Sequence, residues 1–138
     1  VKEEGLEDQC LELMAKHGIE DFFFLDQSFP FLVKTAKTGE SRCAVRVSEF
    51  ENIDTAITLA GKVQWVWIDC FTKFPLDLSS ATLLKENGFK LCIVSPELQG
   101  RMEISDTNKI MAAMNSAGVV PDAICTKFPE RWLNKFDS

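Results

Sequence analysis

The fold of this chain is decided by residues 90–101, which read KLCIVSPELQGR. A short apolar run, Leu91 to Val94, ends abruptly in the polar residues Ser95 and Glu97. Short apolar runs bounded by turn residues are typical of strands buried on both faces, as in parallel sheets covered by helices. The polar residues follow the carboxyl end of this strand, which is where parallel α/β folds carry their ligand sites.

The same pattern of helix, glycine, buried strand and polar residue recurs along the chain. Further strands are predicted at residues 22–25, 43–47, 63–68 and 123–125. Helices are predicted at residues 5–16 and 31–37, then from a cap at Asn52 or Asp54 to residue 60, from Ser79 or Ser80 to Gly88, from Ser105 or Asp106 to residue 117, and at 129–135. This alternation predicts an α/β fold with a parallel sheet. Either a (β/α) barrel or an open doubly wound sheet would satisfy it.

Composition and charge limit the classes of function. A chain of 138 residues is expected to form a single domain, 1–138, that buries about two-thirds of its unfolded surface. The net charge of -6 and the pI of about 4.8 argue against a nucleic-acid partner, which favours a basic face. They do not exclude a small local phosphate site. No apolar run approaches the ~20 residues of a membrane span, so none is expected.

The cysteines indicate a reducing compartment. There are five of them, an odd number, and no Cys-x-x-Cys pair occurs. Four lie in or beside the apolar runs, which is typical of thiols that serve as small core residues. We therefore expect reduced core thiols, no cysteine metal site and a cytoplasmic location.

Parallel strands would bring the polar residues that follow them to one rim. Asp26, Asp69, Ser95 and Thr126 are expected there, together with Arg46 or Ser48. Candidate cations are Lys2, Arg46, Arg101 and Lys127, and candidate carboxylates are Asp26, Glu49, Asp69 and Glu97. Carboxylates of this kind can hold a hard divalent cation, and basic side chains can hold a phosphate.

Structural roles remain open for several of these residues. Arg46 could instead form a core ion pair with Glu49 or Asp69, because an unpaired buried charge is costly. Asp26 and Asp69 are equally compatible with turn or cap positions, and Lys127 with a solvent-exposed position. The one histidine, His17, is predicted at a helix end on the side opposite the strand ends. The sequence therefore offers no histidine base at the rim, and it has no Walker, HExxH or GxGxxG motif.

Short motifs at Lys2, at residues 26–29 and at residues 121–129 resemble those of the glycerophosphodiester phosphodiesterase-like superfamily. Lys2 resembles the strand-ending lysine of that family, and residues 26–29, Asp-Gln-Ser-Phe, resemble its Ser-Phe strand. Residues 121–129, PDAICTKFP, are similar to its closing motif, although Lys127 stands where the family usually has Asp. The segments RVSE (46–49), WID (67–69) and VSPEL (94–98) look like a branch of the same proteins.

The resemblance implies a (β/α)8 barrel that cleaves phosphodiesters, usually with a divalent cation such as Mg²⁺ or Ca²⁺. The family's acid–base histidines and metal carboxylates lie in its first barrel strands, which have no counterpart in this sequence. It therefore implies a partial TIM barrel of about five of the eight strands, the C-terminal portion of the fold. A partial barrel exposes sheet edges, so either the missing half or another copy of the chain is expected to complete it, or the sheet is an open one.

These expectations lead to one main hypothesis and two alternatives. In the first, the chain binds a small phosphorylated substrate of lipid metabolism through Lys2, Arg46, Asp69, Ser95 and Glu97, and the catalytic histidines and metal ligands lie outside it. The second is a binding module derived from the barrel and without catalysis. The third is a receiver-type signalling domain, in which Asp69 accepts a phosphoryl group, Ser95 is the switch hydroxyl and Lys127 contacts the phosphate.

Overall fold

A computed structural model of the chain describes residues 3–133. In chain order the elements are α1 (Glu7–Lys16), α2 (Phe29–Lys37), β1 (Ala44–Val47), α3 (Ile53–Ile57), β2 (Trp65–Ile68), α4 (Leu78–Glu86), β3 (Lys90–Val94), α5 (Ile104–Ser116) and β4 (Ala123–Cys125). Two 3-10 helices, Pro96–Gln99 and Pro129–Arg131, follow β3 and β4. Within this range no helix has the length and apolar character that a bilayer span requires.

The four strands form one sheet in the order β1-β2-β3-β4, and every neighbouring pair is parallel. Phe24 adds an isolated parallel bridge to Cys43, just before β1. The prediction of an α/β fold with parallel β/α units is therefore confirmed. The strand order within residues 3–133 contains no reversal. A receiver-type sheet has a reversal next to its first strand, so the topology argues against that alternative.

The two faces of the sheet are covered differently. Val45, Val66 and Ile93 point to one face and pack into a core to which α2, α3, α4 and α5 all contribute. Trp67 and Cys92 point to the other face and form a second apolar cluster, in which no residue of α1 to α5 takes part. The α-helices α1 to α5 of the described chain therefore lie against a single face of the sheet, and only Leu98 of a 3-10 helix reaches the other face.

The strands agree with the sequence patterns better at the centre than at the edge. β4 has the bounds that were predicted for it, and β3 begins at Lys90, one residue before the predicted apolar run. The predicted strand at residues 22–25 is reduced to the single bridge of Phe24. This segment has a neighbour on one side only, and Asp26 directly after it adopts a left-handed backbone with φ +59°, which ends the extended conformation.

Helix starts depend on caps that the sequence patterns identified only in part. Asn52 caps α3 as predicted, since its side chain accepts from the amide of Asp54. The predicted start of α4 at Ser79 or Ser80 is one or two residues late, because the helix begins at Leu78, Asp77 caps it and Ser80 completes a reciprocal capping box. The prediction of Ser105 or Asp106 for α5 is also wrong, because the chain turns helical after Glu103, whose side chain makes no cap hydrogen bond.

The cysteines behave as core residues. All five are free, and Cys43, Cys70 and Cys92 are buried. Burial raises the pKa of each of these three thiols to about 12. They are therefore protonated and poorly nucleophilic at neutral pH.

Candidate functional site

The strand register places Arg46 and Asp69 on the same face at the carboxyl edge of the sheet. Arg46 in β1 pairs with Trp67 in β2, and Asp69 lies two residues further on, where the alternation of a strand returns the side chain to the same face. Arg46 Nε lies 3.1 Å from Asp69 Oδ2. Arg46 Nη2 lies 2.9 Å from Asp26 Oδ1. The three side chains form one chain of ion pairs. The ion pair between Arg46 and Asp69, one of the two structural roles considered for Arg46, is therefore observed.

Two members of this chain are open to solvent. The side chains of Arg46 and Asp26 are 40% and 45% exposed, whereas that of Asp69 is 4% exposed. A ligand arriving at the rim would therefore meet Arg46 and Asp26 directly, while Asp69 would act on it through Arg46.

Asp69 is held by neutral donors as well as by Arg46. Trp67 Nε1 donates to Asp69 Oδ2 at 3.2 Å, and Gln99 Nε2 donates to Asp69 Oδ1 at 2.7 Å. Burial nevertheless raises the pKa of Asp69 above its ordinary value, because the loss of hydration outweighs the hydrogen bond from Gln99 and the charge of Arg46. Gln99, Arg46 and Trp67 therefore offset only part of the effect of burial on this carboxylate.

Glu97 is enclosed by hydrogen-bond donors. Glu97 Oε1 accepts from the hydroxyl of Thr126 and, at 2.8 Å, from the backbone amide of Lys127. Its Oε2 accepts from Ser95 Oγ, which itself accepts from Trp132 Nε1 at 3.1 Å. The pKa of Glu97 is lowered, because these hydrogen bonds outweigh the effect of burial. The carboxylate ties the end of β3 to the end of β4.

The 3-10 helix at Pro96–Gln99 joins these two clusters. It places Glu97 against Thr126 and, two residues later, Gln99 against Asp69. Glu97 is enclosed rather than solvated in this helix, since it is 3% exposed. The sequence patterns missed both this helix and Gln99, although Pro96 stands at its first position, where helices favour proline.

An open cleft lies beside the exposed end of the ion-pair chain. It has a volume of about 1100 Å³ and is lined by Arg46 and Asp26 together with residues of α2, α3 and the loops that precede them. Its other charged lining residues are Glu4 and Glu51. Asp69, Ser95 and Glu97 do not line it. Of the predicted substrate-binding residues that the structure describes, only Arg46 reaches this cleft.

The remaining candidates lie elsewhere or make other contacts. Lys2 lies outside the described residues. Lys127 has an exposed side chain, and its backbone rather than its ammonium group contacts Glu97. Ser48 is buried and donates to Glu51 Oε2 at 2.9 Å. Glu49 and Arg101 both contact the loop that follows β2.

A buried polar cluster near the cleft was missed by the sequence patterns. Gln27 Nε2 donates to Glu7 Oε1 at 3.0 Å and to Thr35 Oγ1 at 2.9 Å. Glu7 is 7% exposed. Burial raises the pKa of Glu7, but hydrogen bonds, including the one from Gln27, outweigh burial and lower the pKa below its ordinary value. The signal was available, because Glu7 lies three residues before Cys10 and so shares the apolar face of α1.

The described residues show no arrangement of a metal centre or a histidine base. Between residues 3 and 133 no group of three or more His, Cys, Asp or Glu side chains could hold a metal ion. His17 lies exposed at the C-terminal end of α1.

In comparisons with known proteins the chain matches no family model, and no curated protein or solved structure is significantly similar to it.

Proposed function

We propose that the chain forms part of a phosphodiesterase-like (β/α)8 barrel and contributes the surface that binds a small phosphorylated substrate. The observation that supports this best is the sequential, all-parallel strand order with helices on one face. A (β/α) barrel has this arrangement, whereas a doubly wound sheet carries helices on both faces and reverses its strand order. The five of eight strands in this proposal would be β1 to β4 and the segment around Phe24.

In this proposal Arg46 binds the phosphate group. Its guanidinium is partly exposed at the carboxyl edge, where barrel enzymes carry their sites. Asp26 and Asp69 orient it from either side, and Ser95 and Glu97 fix the rim rather than touch the substrate. Lys2 would add a second cation, as the family resemblance implies.

Residues 3–133 hold no group of three or more His, Cys, Asp or Glu side chains that fits the divalent cation that the family uses. Asp69, Glu97 and Glu49 each already accept two or more hydrogen bonds from protein groups. The proposal therefore assigns the metal ligands and the acid–base histidines to residues outside this chain, and it routes no catalytic step through residues 3–133.

Completion of the barrel is part of the same proposal. The second face of the sheet is apolar, with Trp67, Cys92 and Val94 at its centre, and the sheet has edges at Phe24 and at β4. Unpaired parallel edges and an apolar interior favour association. A preceding part of the polypeptide, or a second copy of the chain, would cover them.

A barrel-derived binding module without catalysis is the second candidate. It is favoured by the burial of Ser95 and Glu97, which are 0% and 3% exposed. Side chains that are buried to this extent stabilise the rim but cannot reach a substrate unless the rim rearranges. Binding of a phosphorylated ligand through Arg46 is common to both candidates.

The first experiment measures binding and hydrolysis separately. Glycerol 3-phosphate binding is measured by calorimetry for the wild type, for Arg46→Gln and for Arg42→Gln. Arg42 is the matched control, since it also pairs with a carboxylate, that of Glu40, but does not line the cleft. Loss of a charge-assisted hydrogen bond is expected to weaken binding to Arg46→Gln about tenfold or more, with Arg42→Gln unchanged.

Hydrolysis of glycerophosphodiesters is then assayed with the longest native polypeptide, with Mg²⁺ or Ca²⁺ and with a chelator. Turnover that the chelator abolishes supports the enzyme. Binding without turnover supports the binding module. Equal affinity of all three proteins for glycerol 3-phosphate would overturn the role of Arg46 in both.

A further inference from the structure

The loop after β2 directs three consecutive backbone amides at one carboxylate. The N–H groups of Phe71, Thr72 and Lys73 donate to Glu49 at 3.3, 3.0 and 2.8 Å. Successive N–H groups that converge in this way form a nest, a concave site that binds anions. In this structure the nest holds an oxyanion that belongs to the chain itself.

The nest is held from its other side by a cation. Arg101 Nη1 donates to the carbonyl of Thr72 at 2.7 Å, and Arg101 Nη2 donates to the carbonyl of Cys70. The carbonyls of the loop are thus bound by a guanidinium while its amides are bound by a carboxylate. Because Arg101 reaches the loop from a different part of the chain, its contacts do not require Glu49. The nest is expected to keep its shape when Glu49 leaves.

Glu49 lies on a small loop that can move without opening the core. The loop is closed by mutual backbone hydrogen bonds between Ser48 and Glu51, so its shape is largely its own. Phe50 at its tip is 77% exposed and meets Phe71 only at a ring distance of 5.8 Å. The carboxylate of Glu49 is the main polar link between this loop and the nest.

The nest stabilises negative charge. Burial is the largest influence on the pKa of Glu49 and raises it, but the amides of Lys73, Thr72 and Phe71 outweigh burial and hold the pKa below its ordinary value. An oxyanion of similar size would gain the same hydrogen bonds, together with the nearby positive charge of Arg101.

We propose that the amides of Phe71, Thr72 and Lys73 form an oxyanion-binding site, which Glu49 occupies as an internal anion and which a phosphate or carboxylate group of a ligand enters by displacing Glu49. The exchange conserves hydrogen bonds, since the three amides pass from one oxyanion to another while Glu49 moves into water. This inference does not rest on the proposed function, because it concerns different atoms and requires no hydrolysis.

The test compares Glu49→Ala with the wild type and with Glu51→Ala. Glu51 is the matched control, because it removes one negative charge from the same loop but not from the nest. Inorganic phosphate and acetate are titrated separately at constant ionic strength, and binding is followed through the amide NMR signals of residues 71–73. A tethered group competes at an effective concentration in the millimolar range, so Glu49→Ala is expected to bind about tenfold more tightly than the wild type or Glu51→Ala.

Three further substitutions make the result decisive. Arg101→Gln in the Glu49→Ala background should lose the gain, because the loop carbonyls are no longer held. If Glu49→Ala fails to fold, Glu49→Gln and its control Glu51→Gln replace it. The neutral side chain of Gln should bind the three backbone amides more weakly than a carboxylate does, so an anion should displace it as well. A gain for phosphate or for acetate at these three amides supports the site and identifies the ligand group. The proposal would be overturned if the Glu49 variant bound phosphate no more tightly than the Glu51 variant does, and likewise for acetate.

Discussion

Glu97 keeps a negative charge in the interior because its neighbours supply donors to both oxygens. Ser95 and Thr126 contribute hydroxyls and Lys127 a backbone amide, so the carboxylate exchanges its hydration for fixed hydrogen bonds. Such a group is costly to alter, since removing it leaves several buried donors without acceptors.

The substitution Glu97→Gln is expected to lower the free energy of unfolding by about 1–3 kcal/mol. An amide offers one acceptor oxygen where the carboxylate offers two, and its NH₂ group would face the Ser95 hydroxyl, which already accepts from Trp132. Urea unfolding at pH 7 measures the difference. Glu103→Gln, at an exposed position without a cap hydrogen bond, is the control and should change little.

The pH dependence of this difference has a definite sign. The pKa of Glu97 is lowered from its ordinary value of 4.5, so its contribution to stability is complete above that value and is lost as the pH falls through the lower pKa of the folded state. The gap between the wild type and Glu97→Gln should therefore narrow at acidic pH. A gap that stayed constant would show that the charge of Glu97 has no part in its effect.

At the scale of single residues, position was easier to predict than role. Parallel strands were enough to place Asp26, Arg46 and Asp69 at one edge, where ion pairs now join them. The burial of Glu97 depends on Thr126, which lies 29 residues away, and on Trp132. The sheet brings these distant parts of the chain together, so the burial of Glu97 could not be predicted from the residues next to it in sequence.

At the scale of elements, the start of α4 depends on one side chain outside the helix. Asp77 Oδ1 accepts from the amide of Ser80 at 2.8 Å, and Ser80 Oγ accepts from the amide of Asp77 at 2.9 Å. This reciprocal pair satisfies two amides that the helix itself leaves without partners.

The substitution Asp77→Ala is therefore expected to lower the Tm of the protein, and Ser79→Ala in the same first turn should leave it almost unchanged. The hydrogen bond from the Ser80 amide is the main reason that the pKa of Asp77 is lowered. The stabilisation is thus present at neutral pH and lost as the pH falls through the pKa of the folded state. Thermal unfolding at pH 7 and at pH 3 checks both statements; an equal Tm for the two variants at pH 7 would contradict them.

The buried elements could be predicted from their apolar runs, whereas the helix caps and the edge of the sheet were harder to predict. β3 could be bounded from its sequence because all of its residues after Lys90 are buried and its polar neighbours differ sharply from them. Asp77, Ser79 and Ser80 all favour a helix start, so propensity alone could not choose among them. The 22–25 segment has the composition of a strand, but the left-handed backbone at Asp26 ends its extended conformation after a single bridge.

At the scale of the whole molecule, the sheet should be most stable at its centre. β2 and β3 pair on both sides, whereas Phe24 and β4 have one neighbour each. Hydrogen exchange measured by mass spectrometry should therefore show the slowest amides in β2 and β3 and the fastest strand amides at residues 22–25 and in β4. Slow exchange at β4 alone would instead indicate that another chain segment pairs with that edge.

The sequence predicted the alternation of helices and strands but not the order of the strands. Both the barrel and the doubly wound sheet satisfy the same apolar pattern, because strands in either are buried on both faces. The order depends on which side of the sheet each helix crosses. In the structure Val45, Val66 and Ile93 pack into the one core that the helices share, a contact between distant segments that no local pattern contains.

The sequential order of the strands also bears on how the chain folds. Each strand pairs with the next strand in the chain, so the residues that pair are separated by roughly 20 to 30 positions, a modest contact order for a parallel sheet. Loop closure is correspondingly inexpensive in entropy. Each new β/α unit can therefore dock on the unit before it as the polypeptide leaves the ribosome, without waiting for the C-terminus to be made.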